Sequence, residues 1–225
     1  MDQNLYALTE KRVNRTLENL QKNNMSAIYV PKKEDVVGEV AKLISEGDTV
    51  AVGGSVTLSE AGVLELLRNG KYNFLDRYAP GLSKEETNEI LRQGLLADVF
   101  LCSSNAITER GELYNVDGNS NRIAALVFGP KSVIVVAGIN KIVYDLDEAV
   151  LRVKQIAAPA NCLRLGYETY CMHDGQCQSL HSNSSRDITE GCSSATRICC
   201  NYVISARQRI KDRIKVIIVG EPMGY

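Results

Sequence analysis

Five of the seven cysteines in this chain fall between positions 171 and 200, and this clustering is its clearest chemical signal. Four of them have the spacing Cys171-x5-Cys177-x14-Cys192-x6-Cys199, and Cys200 follows directly. Thiolates bind zinc and iron–sulfur clusters, and four thiolates complete either kind of site. In a reducing compartment, clustered cysteines indicate metal or redox chemistry more often than disulfides. The pattern therefore predicts a four-cysteine metal site, with free loop thiols and disulfides as the alternatives.

The composition favours a reducing, cytoplasmic location. The chain of 225 residues carries a formal net charge of −1 and has a pI of about 6.2. Its N-terminus has no basic region followed by an apolar stretch, so we expect no secretory signal. The longest apolar run, Val133–Ile139, has seven residues, whereas a membrane helix needs about 20. Because balanced charge also argues against a general nucleic-acid binder, we expect a cytoplasmic protein without membrane or nucleic-acid partners.

A glycine-rich turn, Gly53-Gly54-Ser55, follows an apolar strand and precedes a helix, with Thr57 close behind. Glycines let the backbone approach a ligand closely, and the start of a helix offers N–H groups to an anion. Ser55 and Thr57 add hydroxyl groups. The alternative is an ordinary strand–helix turn in which Thr57 and Glu60 form a capping box. The turn matches neither a Walker A loop nor a dinucleotide fingerprint, so it predicts only a small anionic ligand.

A long polar segment, 103–122, lies between two predicted strands. Its carboxylates could do acid/base work, and its cations could hold an anion. The candidates are Glu109, Glu112, Asp117 and Arg122, with Lys131 beyond the segment. The alternative is a pair of hairpin turns, because Glu-Arg-Gly-Glu and Asp-Gly-Asn are favourable turn sequences.

The spacing of apolar residues predicts the elements that position these groups. Helices are expected over 2–24 with Asp2 as N-cap, 33–45, 59–68, 83–93 and 145–157, the last ending before Pro159. Strands are expected over 27–30, 49–52, 97–102, 106–108, 123–128, 131–137 and 213–219, and a loose loop over Gln178–Ser194. Short apolar strands that alternate with helices predict an α/β domain with a mostly parallel sheet. Such sheets bind ligands beyond the carboxyl ends of their strands, where the glycine turn would lie.

Five blocks of the sequence resemble the lactate-utilisation (LUD) domain family and occur in the family's order. They are Gly54–Leu58, Ser104–Leu113, Asn115–Arg122, Phe128–Lys131 and Gly138–Lys141. The resemblance implies a single LUD domain over 1–225, with an N-terminal helix over 1–24 and a Cys-rich segment over 171–200. It also implies a three-layer, Rossmann-like open sheet, mostly parallel, similar to that of sugar-phosphate isomerases, glucosamine-phosphate deaminases and CoA transferases.

The resemblance also implies which residues bind a ligand. Relatives with this fold bind phosphorylated or CoA-linked ligands with a glycine-rich turn. The residues that match this turn are Gly53, Gly54, Ser55 and Thr57, and those that match the family's polar block are Asn105, Asp117, Asn119, Asn121 and Arg122. No catalytic residue carries over, so the resemblance leaves enzymatic activity open.

In function, the resemblance implies a part in oxidising lactate or a related organic acid, as an accessory or redox subunit that works with iron–sulfur oxidoreductase subunits. One alternative is an enzyme or sensor for a small phosphate- or CoA-linked ligand, of the isomerase or CoA-transferase type. Another is a purely structural, partner-binding subunit. Self-association into a homo-oligomer is also open.

The cysteine segment resembles the tail of short members of this family, Cys-x5-Cys-x2-Cys-x6-Cys-Asn. The match requires a 12-residue insertion in the second gap. The implied ligands of an iron–sulfur cluster or zinc are Cys171, Cys177, Cys192 and Cys199. Alternative ligands are His173, His181 and Cys200. The remaining thiols, Cys102 and Cys162, lie in apolar contexts and are predicted to be core residues.

Overall fold

A parallel sheet forms the centre of the fold in the computed structural model, which describes residues 2–181 and 187–225. Part of the predicted loop Gln178–Ser194, residues 182–186, therefore lies outside the described residues. The strands described are β1 (Ser26–Val30), β2 (Thr49–Val52), β3 (Asn73–Leu75), β4 (Val99–Cys102), β5 (Ala106–Thr108), β6 (Leu113–Asp117), β7 (Ser132–Gly138), β8 (Ile142–Val143), β9 (Asn201–Ser205) and β10 (Ile214–Val219). Six of them pair in parallel in the order β1-β10-β7-β4-β2-β3. The prediction of a mostly parallel α/β sheet is confirmed.

Helices cover both faces of this sheet. They are α1 (Gln3–Lys22), α2 (Val36–Ala41), α3 (Val56–Glu60), α4 (Val63–Arg68), α5 (Lys84–Gln93), α6 (Asn121–Val127), α7 (Leu146–Arg152), α8 (Ala158–Leu165) and α9 (Tyr170–Asp174). Alternate residues of β7 point to opposite faces: Val135 packs with α1 and α6, and Val136 packs with α2, α3 and α4. The result is a three-layer arrangement. None of the helices in the described part of the chain combines the length and apolar character of a membrane span.

A second, smaller sheet lies in the order β8-β5-β6-β9 and was not expected from the sequence. β5 and β6 form an antiparallel pair, and β9 pairs antiparallel with β6. Buried Tyr114 and Val116 of β6 share a core cluster with α7 and α8. This sheet brings the polar segment, 103–122, next to the strand that follows the cysteine segment.

One predicted strand is wrong. Residues 123–128 were expected to be extended, but most of them belong to α6, which buries Ile123 and Leu126 on one side. A short run of apolar residues without interleaved polar ones gives no period that separates strand from helix. The two alanines, Ala124 and Ala125, favour the helix.

The predicted helix end before Pro159 is also wrong. The chain continues through a π-helical turn, Val153–Ala157, directly into α8, where Pro159 occupies the first turn. A π-helical turn is wider than an α-helical turn, and it accommodates Pro159, which has no backbone N–H to donate. The backbone carbonyl of Lys154 in this turn accepts a hydrogen bond from the N–H of Cys177 at 2.9 Å. The irregular turn therefore anchors the cysteine segment.

Candidate functional site

The carboxyl ends of β2, β4 and β7 open into a pocket of about 500 Å³, here called the polar pocket. It holds the glycine turn and the polar segment together, as expected for a ligand site of an α/β sheet. The predicted ligand-binding residues that line it are Gly54, Ser55, Asn105, Asp117, Asn119, Asn121 and Arg122.

Gly53 and Thr57 lie behind this surface. The N–H of Gly53 donates to the carbonyl of Leu101 at 2.8 Å. A Cβ at Gly53 would come within 3.0 Å of the Arg122 side chain, so glycine makes room for that arginine. Thr57 is buried, and the N-cap of α3 is Ser55, whose hydroxyl accepts the N–H of Leu58 at 3.2 Å. The capping box considered for Thr57 is therefore not formed.

The guanidinium of Arg122 ties the polar segment together. It donates to the side-chain oxygens of Asn115 and of Asn105, the latter at 3.0 Å, and its Nε lies 3.4 Å from the Asp117 carboxylate. It also donates to the backbone carbonyl of Val116 at 2.7 Å. These contacts occupy the N–H donors of Arg122. We therefore expect Arg122 to shape the pocket and to add positive charge, and not to hydrogen-bond a ligand directly.

Lys131 does not reach the polar pocket. It is exposed and directly precedes β7, whose seven residues run from there towards the pocket. At about 3.3 Å per residue, the strand alone separates the two ends by roughly 23 Å. The structure therefore does not bring Lys131 together with the other predicted ligand-binding residues.

The lysine that lines the polar pocket is Lys141, just beyond the other end of β7. It is 2% exposed, and its Nζ lies 2.9 Å from the Thr57 hydroxyl and 3.0 Å from the Ser103 hydroxyl. Burial, together with the charges of Arg152 and Arg122, lowers the pKa of Lys141 to about 7. Sequence reasoning missed this residue, although Lys141 ends the last of the five family blocks and follows the strongest predicted strand.

The polar pocket is strongly cationic. Its lining includes four arginines, Arg77, Arg122, Arg164 and Arg197, and one carboxylate, Asp117. Arg77 lies over the glycine turn, because a Cβ at Gly54 would be 3.9 Å from its Nη1. The Nε of Arg77 is buried and has no hydrogen-bond partner among the described residues. Within the described part of the chain, Arg77 therefore keeps one donor without a partner beside the glycine turn.

A second, smaller cavity of about 30 Å³, here called the thiol cavity, lies between α8, α9 and β9. All four predicted metal ligands line it: Cys171, Cys177, Cys192 and Cys199. Cys162 is buried as predicted for a core residue, but it also lines this cavity, with its Sγ 3.9 Å from that of Cys171.

Protonation differs among these thiols. Burial, together with the neighbouring Cys171 and Cys177, raises the pKa of Cys199 to about 12. Burial also acts to raise the pKa of Cys192, but hydrogen bonds from Ser194 and Tyr170 and the charge of Arg197 together outweigh it, so that this pKa falls below the usual value. Within residues 2–181 and 187–225, no three side chains of metal-binding type are arranged around a common ion position.

The alternative ligands lie elsewhere. His173 contacts Glu168 at 2.9 Å, and His181 contacts Asp174 at 3.4 Å; both histidines are exposed. Cys200 is exposed, and its Sγ lies 3.2 Å from the carbonyl of Arg197. In this arrangement, none of the three lines the thiol cavity.

The two cavities share a wall. Residues common to both linings include Val153, Ala158 and the segment Arg197–Cys199. The guanidinium of Arg197 holds this segment in place by donating to the carbonyl of Cys199 at 2.8 Å and to that of Cys192 at 2.9 Å. A group in the polar pocket and a group in the thiol cavity would therefore be separated by a single layer of residues.

One solved structure has a similar fold over most of this chain. A solved DUF162 family protein from Deinococcus radiodurans superposes with a TM-score of 0.51 at 16% identity, covering 94% of this chain and 98% of that one. The delta subunit of eIF2B from Chaetomium thermophilum gives a TM-score of 0.33 at 22% identity, covering 50% of this chain and 48% of that one. No curated protein matches the chain. The sequence profile of the LUD domain matches residues 13–219, most of the chain. The chain therefore belongs to the LUD domain family and is a protein of the lactate-utilisation type.

Proposed function

We propose that this protein is an accessory redox subunit in the oxidation of lactate or a related organic acid. The polar pocket binds the carboxylate of the acid, and the thiol cavity carries a metal centre that passes electrons to iron–sulfur oxidoreductase subunits. The observation that carries this proposal is the wall, including Arg197–Cys199, that the two cavities share.

The charge of the polar pocket supports the carboxylate half of the proposal. Its four arginines outnumber its one carboxylate. Arginine suits carboxylates because its planar fork can donate two parallel hydrogen bonds. The unpartnered Nε of Arg77 is such a donor, and it lies beside the glycine turn.

The donor set of the thiol cavity fits a thiophilic metal. Cys171, Cys177, Cys192 and Cys199 would hold it, and an iron–sulfur cluster bound there would supply one-electron transfer. Arg197 lies beside them and would offset the negative charge of the thiolates. A cavity of about 30 Å³ has room for one or two waters or a single ion, so a cluster requires the wall around Cys192–Cys199 to move outward.

The exposure of this region supports electron transfer to a partner. Cys177, Cys192 and Cys199 are each partly exposed, and Cys200 next to them is fully on the surface. A metal centre held by these residues would lie close enough to the surface for a partner subunit to approach it.

Metal analysis after anaerobic purification tests the proposal. We expect iron with acid-labile sulfide in the wild-type protein, its loss in Cys199→Ser, and its retention in the matched control Cys200→Ser. If the protein contains zinc and no iron, the metal site is supported but the redox role is contradicted, because zinc does not transfer electrons. Colourless, metal-free protein would contradict the proposal.

A second candidate is an enzyme or sensor for a small phosphate- or CoA-linked ligand. It is favoured by the cationic lining of the polar pocket, which suits phosphate as well as carboxylate. Thermal-shift measurements with CoA esters, sugar phosphates and hydroxy acids separate the two candidates. A shift with phosphorylated ligands alone would favour the second candidate.

A further inference from the structure

Lys141 has an environment that is unusual for a lysine. It is 2% exposed, and none of the ion pairs within the described residues includes it. Arg152 and Arg122 are its charged neighbours of like sign. Burying an ammonium group without a paired carboxylate is costly, so the amine is more stable neutral.

The remaining titratable groups around Lys141 do not change this conclusion. Glu60 acts on it electrostatically, but its carboxylate accepts the N–H of Gly224 at 2.8 Å and makes no ion pair with Lys141. Asp117 pairs with Arg122, and Cys102 is a buried thiol whose pKa burial raises to about 11. Both carboxylates near Lys141 therefore have other partners, and neither pairs with its amine.

The two hydroxyl groups in contact with Lys141 suit a neutral amine. A hydroxyl can accept a hydrogen bond from an N–H or donate one to a nitrogen lone pair, and both Thr57 and Ser103 lie within 3.0 Å. A neutral lysine in a desolvated pocket is a nucleophile towards carbonyl carbon. Because Lys141 also lines the polar pocket, a ligand there can reach it.

We propose that Lys141 forms an imine with a small carbonyl compound that also carries an anionic group, either a 2-oxo acid or a phosphorylated aldehyde. The anionic group would pair with Arg77 at the glycine turn, and the carbonyl would face Lys141. The inference rests on the anion-binding half of the proposed function and is independent of the metal centre.

The step balances without any further reactant. The nitrogen lone pair of Lys141 attacks the carbonyl carbon, and a C–N bond forms as the carbonyl oxygen becomes a hydroxyl. Both amine hydrogens leave with that oxygen as water, and a C=N bond remains. The Thr57 and Ser103 hydroxyls, which contact Nζ, can pass these protons from nitrogen to oxygen.

Reductive trapping tests this inference. The protein is incubated with pyruvate or with glycolaldehyde phosphate in the presence of sodium cyanoborohydride and analysed by intact mass and peptide mapping. With pyruvate we expect a single adduct on the peptide that contains Lys141. Its mass should exceed that of the unmodified peptide by the mass of pyruvic acid minus one oxygen atom. Lactate, which has a hydroxyl group in place of the ketone, should give none. Reaction with one probe alone identifies which anionic group the site takes.

Variants provide the controls. Lys141→Met should abolish the adduct, whereas Lys84→Met, which removes an exposed lysine on α5, should leave it unchanged. Mapping of the wild-type adduct decides the question even if Lys141→Met fails to fold. Adducts spread over surface lysines, or binding measured by calorimetry with no adduct from either probe, would overturn the inference. The iron content reports separately on the redox proposal.

Discussion

Replacing Lys141 with methionine should change how the stability of the protein depends on pH. Methionine keeps the length of the side chain and removes the charge. In the folded protein, burial among Arg152 and Arg122 lowers the pKa of Lys141 from 10.5 to about 7. Between these two values the unfolded chain binds a proton that the folded chain does not. The wild-type protein should therefore become more stable as pH rises through this window, and Lys141→Met should lack this contribution.

The fall in pKa corresponds to roughly 5 kcal/mol if the whole window is crossed. Between pH 6 and pH 9 roughly 3 kcal/mol of it should be gained. We therefore expect Lys141→Met to stabilise the protein more at pH 6 than at pH 9, by roughly that difference. The hydroxyls of Thr57 and Ser103 lose a partner at both pH values, so this loss largely cancels in the comparison.

Urea unfolding followed by far-ultraviolet circular dichroism is the suitable assay, because the chain has no tryptophan. The free energy of unfolding is measured at pH 6 and pH 9 for the wild type, Lys141→Met and the exposed control Lys84→Met. Equal effects of Lys141→Met at the two pH values would mean that Lys141 is charged throughout, and the reasoning about its environment would be refuted.

Three further predictions concern the elements around the site. Glu109→Gln should destabilise the protein by about 1–2 kcal/mol in urea unfolding, because Glu109 binds two half-exposed arginines of α1; an unchanged midpoint would contradict this. Gly111→Ala should cost at least about 2 kcal/mol, since φ is +80° and the new Cβ would lie 2.6 Å from the backbone of Asn19. Its control, Gly38→Ala, has open space in α2 and should stabilise by about 0.5–1 kcal/mol. Arg77→Gln should weaken pyruvate binding about tenfold or more in calorimetry, and an unchanged affinity would remove Arg77 from the site.

The parallel sheet was predictable because its strands are buried on both faces and read as continuous apolar runs. Val50–Val52 and Val133–Ala137 have no other reasonable interpretation. The same property hid α6, where an apolar run without polar interruptions shows no period. The second sheet was missed because its strands are short and because β9 pairs with β6 across more than 80 residues, as Val203 does with Asn115.

The polar pocket was partly predictable, since the glycine turn and the polar segment both follow strands of a parallel sheet. The two lysines show the limit of such reasoning. A lysine is ordinarily exposed, so the sequence gives no reason to expect Lys141 to be buried. Only the packing of Thr57 and Ser103 around the end of β7 buries Lys141 and leaves Lys131 in solvent at the opposite end.

Electron paramagnetic resonance of the anaerobically purified protein tests the central claim most directly. The claim is that a redox-active metal centre and a carboxylate-binding pocket lie on opposite sides of a single shared layer of residues. We predict a signal after reduction with dithionite that is absent in Cys199→Ser and changes shape when pyruvate is added. A reduced protein that contains no iron and gives no signal, or a signal that pyruvate leaves unchanged at saturation, would contradict it.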